Sequence, residues 1–474
     1  MIYFILLSYL IIIFWGSLIG SRPQEATPES YFLANRNLST LSLFFTLLAT
    51  NFSAFYFLGF AGQGYKVGYS IYILMALGTG MAGLAFLLIG PRIWKLGTTR
   101  GYITPAELIY GETKSRSLSL LFSAVMIIFT LPYLALQIIG GGYILENVTG
   151  GDLSYSLSIT ILTVVTIAYV VIGGMASVAR TDLKQGSLMI VLMITAVVLI
   201  AKDLGGLSFA NEQVTLVHPE LFSPEGTDNF HHPRKWFSFL VFWFFCVPMF
   251  PQLFMRFYVA ADVVTLKKSA LMYAFIPILI SILPVMIGVW GHISFPELTG
   301  KDIDQILPKM LVEHTSPFFV GLVMTGAIAA FMSTLDSQLL ALSTMVTRDF
   351  YLPLSGTKLS LKQEVFVARL IVVVLALIGL IIAWNPFDTI FDMGKMSFTG
   401  LAILFPVSFI IVRYGSIRPK TAIASIILGL VLLFGFYYKY IPLEYAFGFE
   451  FFIIIIALCS LIAFSGKPQK KTIS

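Results

Sequence analysis

The chain has 474 residues, of which 58% are hydrophobic and only 11% charged, with a formal net charge of +6. Its mean hydropathy is +0.89. Soluble domains carry roughly a quarter charged residues, so a water-facing globular fold is excluded, as is a solvated disordered coil. The apolar runs lack two-residue alternation, which excludes a transmembrane barrel and leaves an all-α polytopic membrane protein.

A spanning helix needs about 20 apolar residues. By that rule, spans are predicted near 1–19, 38–60, 69–90, 116–137, 154–175, 186–202, 236–258, 270–293, 316–345, 365–384, 394–413, 419–438 and 445–465. The first lacks a basic leader and a small-residue cleavage site, and reads as a retained helix rather than a signal peptide. Basic residues in odd-numbered connections and the tail outnumber those at the N-terminus and in even-numbered connections by about 20 to 8. The positive-inside rule therefore places the N-terminus outside and the C-terminus in the cytoplasm of a cell (plasma) membrane protein. The basic charge thus reads as topology, not as a nucleic-acid surface. The two longest connections, 203–235 and 294–315, are acidic and predicted outside. The short segment after the last span predicts no fused signalling domain.

Cys246 and Cys459 fall inside apolar runs and are expected as buried free thiols. The five histidines have no partners at metal-ligand spacing, so neither a transition metal nor a cofactor is expected. There is also no paired catalytic histidine or exposed nucleophile motif to make the chain an enzyme.

Polar residues inside spans are costly, and they mark function. Three clusters stand out. Span two carries Ala49-Thr50-Asn51-Phe52-Ser53-Ala54, followed by Gly59, Gly62 and Gly64. Such residues weaken a helix and free backbone carbonyls, although they also permit close helix packing. Span seven carries Val247-Pro248-Met249-Phe250-Pro251-Gln252. Its two prolines remove backbone donors and break or kink the helix. Interrupted helices at corresponding positions of two halves point to a transporter binding site, and spans two and seven are five apart. Span nine carries Ala329-Ala330-Phe331-Met332-Ser333-Thr334-Leu335-Asp336-Ser337. Positions 330, 333, 334 and 337 share one helical face. That face is rich in the oxygen ligands hard cations need. Back-bonding of Ser and Thr to their own helix explains the hydroxyls but not Asp336. Asp182, in Gly173-Gly174-Met175-Ala176-Ser177-Val178-Ala179-Arg180-Thr181-Asp182-Leu183-Lys184-Gln185, joins this group unless it merely pairs with Arg180 or Lys184.

On two motifs the sequence resembles the solute:sodium symporter family. Gly173–Gln185 is similar to its GG-x-x-A-V-x-x-T-D-x-x-Q signature, with Arg180 where tryptophan is common. Ala329–Ser337, continuing through Ser343-Thr344 to Arg348-Asp349-Phe350-Tyr351, is similar to its second signature. The resemblance implies a LeuT-type fold: a 5+5 inverted repeat with one helix before it and two after. The divisions would be 1–37, 38–202 (spans two to six), 203–235 (an outside loop), 236–413 (spans seven to eleven) and 414–474. It also implies Na+-driven import by alternating access, with Na+ as coupling ion. The implied main sodium site takes carbonyls of Ala49, Phe52 and Ala330 and hydroxyls of Ser333 and Thr334. A second cation site would take Asp182, Ser333, Asp336 and Ser337, where Asp336 stands in place of the serine of some members.

The substrate is expected near the midplane, among Asn51, Ser53, Tyr56, Gln137, Trp243 and Gln252, with Ser397 and Thr399 as further candidates. Asn51 stands where proline carriers have aspartate, and span four lacks the arginine of the sialic-acid carriers. Aromatics and amides without a fixed cation predict a small solute of the amino-acid or monocarboxylate class. The expected partners are that solute, Na+ and the lipid bilayer, with the monomer as the functional unit. Two alternatives remain open: a proton-coupled symporter of the same fold using Asp336 or Asp182, and a non-transporting membrane sensor.

Overall fold

A computed structural model describes residues 33–468 apart from 174, 225, 228–231, 357, 358, 443–445 and 447–449, together with 3–5, 8 and 11. The predicted span 1–19 lies largely outside the described residues. So do the side chains of 172–181, which include Arg180.

The described chain is helical, with only an isolated bridge between Leu38 and Ala260 outside helices. Span two consists of α1 (Thr40–Asn51), a π-helical turn (Phe55–Gly59) and α2 (Phe60–Val67). Then come α3 (Ser70–Arg100), the short α4 (Pro105–Thr113), α5 (Arg116–Val148), α6 (Tyr155–Gly173), α7 (Met175–Asp203) and α8 (Leu207–Val217). Span seven is α9 (Pro233–Cys246) followed by α10 (Pro251–Arg256). Span eight divides at Ser281 into α11 (Val263–Ile280) and α12 (Ile282–Ser294). The remainder is α13 (Ile306–His314), α14 (Pro317–Met345), α15 (Leu352–Ser355), α16 (Leu361–Trp384), α17 (Ile390–Ala402), α18 (Phe405–Tyr414), α19 (Pro419–Tyr437) and α20 (Phe451–Ser465). Eight of the described helices are long and apolar enough to cross a bilayer, or up to ten if each of two bent pairs is one span.

Those bent pairs are spans two and seven. The two halves of span two meet at 61°, and those of span seven at 62°. The causes are local. Phe52 leaves the helical region at ψ 84°, and Ser53 follows it outside any helix. In span seven, Phe250 takes ψ 124° between the two prolines. Pro251 then opens α10, where its missing N–H costs nothing because a first-turn donor has no intrahelical partner.

The main difference from the sequence reading is length. Helices α3 and α5 run to Arg100 and Val148, some ten residues past the predicted apolar stretch. In α5 the run Gly140–Gly142 argues against a helix that forms nonetheless, whereas the α3 extension is polar, and hydropathy is silent on a polar extension. The connection helices α4, α8 and α13 went unpredicted for the same reason. Helix α4 still has a clear local cause: Pro105 opens it, and Thr104 and Glu107 form a reciprocal capping box.

Glycine sets the closest approach to span two. A Cβ on Gly288 would sit 2.0 Å from the Ala61 carbonyl oxygen, and one on Gly64 would sit 2.6 Å from that of Val285. Helices α2 and α12 therefore pack backbone to backbone, the small-residue contact favoured where lipid supplies no hydrophobic drive.

Candidate functional site

Both helix breaks face α14, which is buried along nearly its whole length. The Thr334 hydroxyl lies 3.3 Å from the Ala49 carbonyl oxygen and 3.2 Å from that of Ala330. Three of the five oxygens expected at the main sodium site thus converge across α1 and α14. The Phe52 amide is spent on Leu48, at 2.8 Å. The neighbouring Ser333 hydroxyl donates to Asp182 Oδ1 at 2.5 Å.

Asp182 is fully buried and brings α7 to the same place. Its Oδ2 accepts from the Thr46 hydroxyl and from Arg256 Nη2, the latter at 3.4 Å. Arg256, at the end of α10, is also fully buried. It donates from Nε to Thr46 Oγ1 at 2.9 Å and from Nη2 to Ser337 Oγ at 2.8 Å and Thr50 Oγ1 at 3.4 Å. Ser337 lies 3.2 Å from Thr50 and donates to Asp336 Oδ1 at 3.3 Å. The residues expected at a second cation site therefore surround a guanidinium. Sequence reading overlooked Arg256, although its position inside the predicted span 236–258 was a sufficient signal.

The substrate candidates divide into two groups. Asn51 and Tyr56 turn toward span eight: the Asn51 amide donates to Tyr273 Oη, and Tyr56 Oη lies 2.8 Å from Ser281 Oγ. Ser53 faces α5, and Gln137 reaches back from α5 to span two. There Tyr133 Oη lies 3.2 Å from Ser53 Oγ, and Gln137 Oε1 accepts the freed Ala54 N–H at 2.9 Å. That last bond satisfies a donor exposed by the break. Trp243 packs its ring near Phe55 and Phe398, at 5.8 and 5.7 Å. Phe398 also meets Tyr133 and Phe250, each at 4.8 Å. This ring cage joins the two breaks to α5 and α17. Sequence reading found Trp243 but missed Phe55, Tyr133, Phe250 and Phe398, because one aromatic among 42 Phe and 21 Tyr carries no signal by itself. Among the substrate candidates, Trp243 Nε1 and both amide atoms of Gln252 are buried without a hydrogen-bond partner, as are both amide atoms of Gln338 on α14. Ser397 donates to the Phe129 carbonyl and ties α17 to α5, whereas Thr399 back-bonds to Lys395 in its own helix.

Above the breaks, the acidic connection 294–315 folds down as a 3-10 turn, Gly300–Gln305, and α13. Asp304 is 2% exposed. Its Oδ2 accepts the Ile390 N–H of α17 at 2.7 Å, and its Oδ1 faces Gly62 of α2. Gln305 accepts from Asn147 of α5 at 2.9 Å. Burial pushes the Asp304 carboxyl up to about 8, reinforced by Asp392 and Asp388 and opposed by the Ile390 N–H. A water-exposed aspartate titrates near 3.9. Seating this loop thus takes up a proton, and seating weakens as pH rises from about 4 to about 8, by up to about tenfold per unit. Hydrogen exchange across 300–305, corrected for intrinsic rates, should accelerate between pH 6 and pH 8. Asp304→Asn should flatten that dependence, and equal acceleration in that variant would place its cause elsewhere.

On the opposite face, Arg348 bridges Glu107 and Glu364, each at 2.6 Å. Asp349 accepts from Thr104 and Ser123, each at 2.7 Å. The Arg348-Asp349 motif thereby ties the end of span nine to α4, α5 and α16.

Comparisons with known proteins agree with this geometry. The chain is 26% identical to the sodium/pantothenate symporter of Escherichia coli over 433 residues, covering 90% of this chain and 88% of that protein. It is 27% identical to the sodium/proline symporter of the same organism, covering 98% and 95%. Among solved structures it resembles a Na+-coupled sialic acid symporter at a TM-score of 0.79, with 17% identity and 98% and 96% coverage. It also resembles MhsT in complex with L-phenylalanine, at a TM-score of 0.59 and 11% identity, covering 90% and 98%. The model of the sodium:solute symporter family matches residues 31–429, and the chain belongs to that family.

Proposed function

We propose that the chain imports a small organic solute of the amino-acid or monocarboxylate class together with Na+, and that the solute seats in the ring cage at the two helix breaks. The observation carrying this reading is the unsatisfied indole N–H of Trp243, whose ring lies in that cage, with the unsatisfied Gln252 amide two residues beyond Phe250. A buried donor or acceptor without a partner costs about 1–3 kcal/mol. A ligand offering both a donor and an acceptor, as amino acids and amides do, removes that cost, and a carboxylate satisfies the two donors. The sodium/pantothenate and sodium/proline relatives are named for solutes with such groups.

The main Na+ site is assigned to the carbonyls of Ala49, Phe52 and Ala330 and the hydroxyls of Ser333 and Thr334. Its ligands come from α1 and α14, so the ion favours the state in which those helices approach. A solute site sharing span two feels that bias, and the coupling is reciprocal. Each Na+ moving inward gains about 2.3 kcal/mol per 100 mV. The matched bends of 61° and 62° support inverted halves at 38–202 and 236–413. We assign the chain to the cell membrane with its N-terminus outside, acting as a monomer. Proton coupling through Asp182 is disfavoured by its ion pair with Arg256.

Proteoliposomes with an imposed Na+ gradient, screened against labelled pantothenate, proline, other amino acids and monocarboxylates, test the reading. Na+-dependent uptake of one of these is expected, with KM raised about tenfold or more by Gln252→Ala, the value of roughly one lost hydrogen bond. Uptake that follows a proton gradient and ignores Na+, or that is confined to large polar sugars, would defeat it.

A further inference from the structure

We infer that Arg256 is the resident cation of the second site, so that the chain carries a single mobile Na+. This rests on the sodium reading of the main site given above. Asp182, Asp336, Ser333 and Ser337, together with Thr46 and Thr50, gather oxygens from α1, α7 and α14 around one buried point. Hard monovalent cations occupy such oxygen clusters. Here the point is filled from α10. The Arg256 guanidinium reaches Thr46, Thr50, Asp182 and Ser337 within 2.8–3.4 Å, and the Asp336 charge acts on it as well. A guanidinium stays charged and presents a rigid fork of donors. It therefore does permanently what a bound ion does reversibly: it neutralises a buried carboxylate and joins helices from both halves.

The charge balance agrees. Two carboxylates act on the one guanidinium, so a positive charge is already built into the cluster. Ser333, which donates to Asp182 at 2.5 Å, is next in sequence to Thr334, whose hydroxyl lies between the Ala49 and Ala330 carbonyls. A single Na+ at the main site thus sits one residue from the cluster. Without the guanidinium the cluster is short by one positive charge, and a second Na+ can supply it.

Counting radiolabelled Na+ bound at saturation to the purified full-length chain in detergent tests this without knowledge of the solute. The wild type should bind about one Na+ per chain, and Arg256→Ala about two. Arg256→Ala combined with Asp182→Asn should return to about one, and Arg256→Lys, which keeps a tethered charge, should stay at about one. Two Na+ in the wild type would overturn the inference, as would an Arg256→Ala count that stays at one in folded protein. Should Arg256→Ala fail to fold, the wild-type count decides between one and two. No binding at all by the wild type would instead overturn the main-site assignment, which keeps the two failures distinct.

Discussion

Asp182→Asn should be among the most destabilising single substitutions in this chain, by about 3–5 kcal/mol, the cost of removing one partner from a buried ion pair. Both side chains of the pair are fully buried. The guanidinium cannot shed its proton, so it stays charged in a medium that solvates it poorly. Asparagine is nearly isosteric and can still accept from Thr46 or Ser333, so the loss is one of charge rather than of volume. Removing both charges is a different case. Asp182→Asn with Arg256→Gln removes the two charges of the pair together, and buried pairs replaced together are often close to neutral. The double variant should recover most of the lost stability, giving a strong favourable coupling in a double-mutant cycle. Thermal unfolding in detergent measures all three variants. If Asp182→Asn melts at the wild-type temperature, or the double variant melts below either single one, the pair does not hold α7 to α10 as described.

The same pair shows where sequence reading succeeds and where it stops. The breaks at Phe52 and Phe250 were legible because their causes are local: small polar residues in one span, two prolines in the other. The face of Ala330, Ser333, Thr334 and Ser337 was legible from helical spacing alone. Arg256 could also have been found. Of 30 lysines and arginines only seven fall within the bounds of the predicted spans, and Arg256 is one of them. What no local pattern encodes is that Arg256 meets Asp182, 74 residues away in the chain. The ring cage was illegible for a similar reason. Phe55, Tyr133, Phe250 and Phe398 come from four spans, and only the fold makes them neighbours. Asp304 shows the opposite limit. It reads as one more acid in an exposed loop, yet it is buried because the helix end at Ile390 offers an unpaired N–H.

Thr334→Ala should raise the Na+ concentration for half-maximal transport by about tenfold to a hundredfold. The hydroxyl is one of five assigned oxygens, and a polar contact to a charge contributes about 1.5–3 kcal/mol, which converts to that range. The same hydroxyl lies against Ala330 in its own helix, at 3.2 Å, and against Ala49 in α1, at 3.3 Å. The first contact alone is ordinary back-bonding and predicts no ion dependence. The second, across the break, is what makes the hydroxyl a candidate ligand. Thr334→Ser keeps the oxygen and should stay near wild type, whereas Thr334→Val keeps the shape and should behave as alanine does. Ser333→Ala should do more, because it removes an assigned ligand and also strips a hydrogen bond from Asp182. A fall in melting temperature should therefore accompany its loss of Na+ affinity, while Thr334→Ala should lose affinity alone. At saturating Na+ the solute KM of Thr334→Ala should return toward wild type, since the ion then fills its site regardless. A Na+ dependence untouched by Thr334→Ala would move the ion away from the junction of α1 and α14. The coupling argument would go with it, because an ion that does not bridge those helices cannot bias their approach.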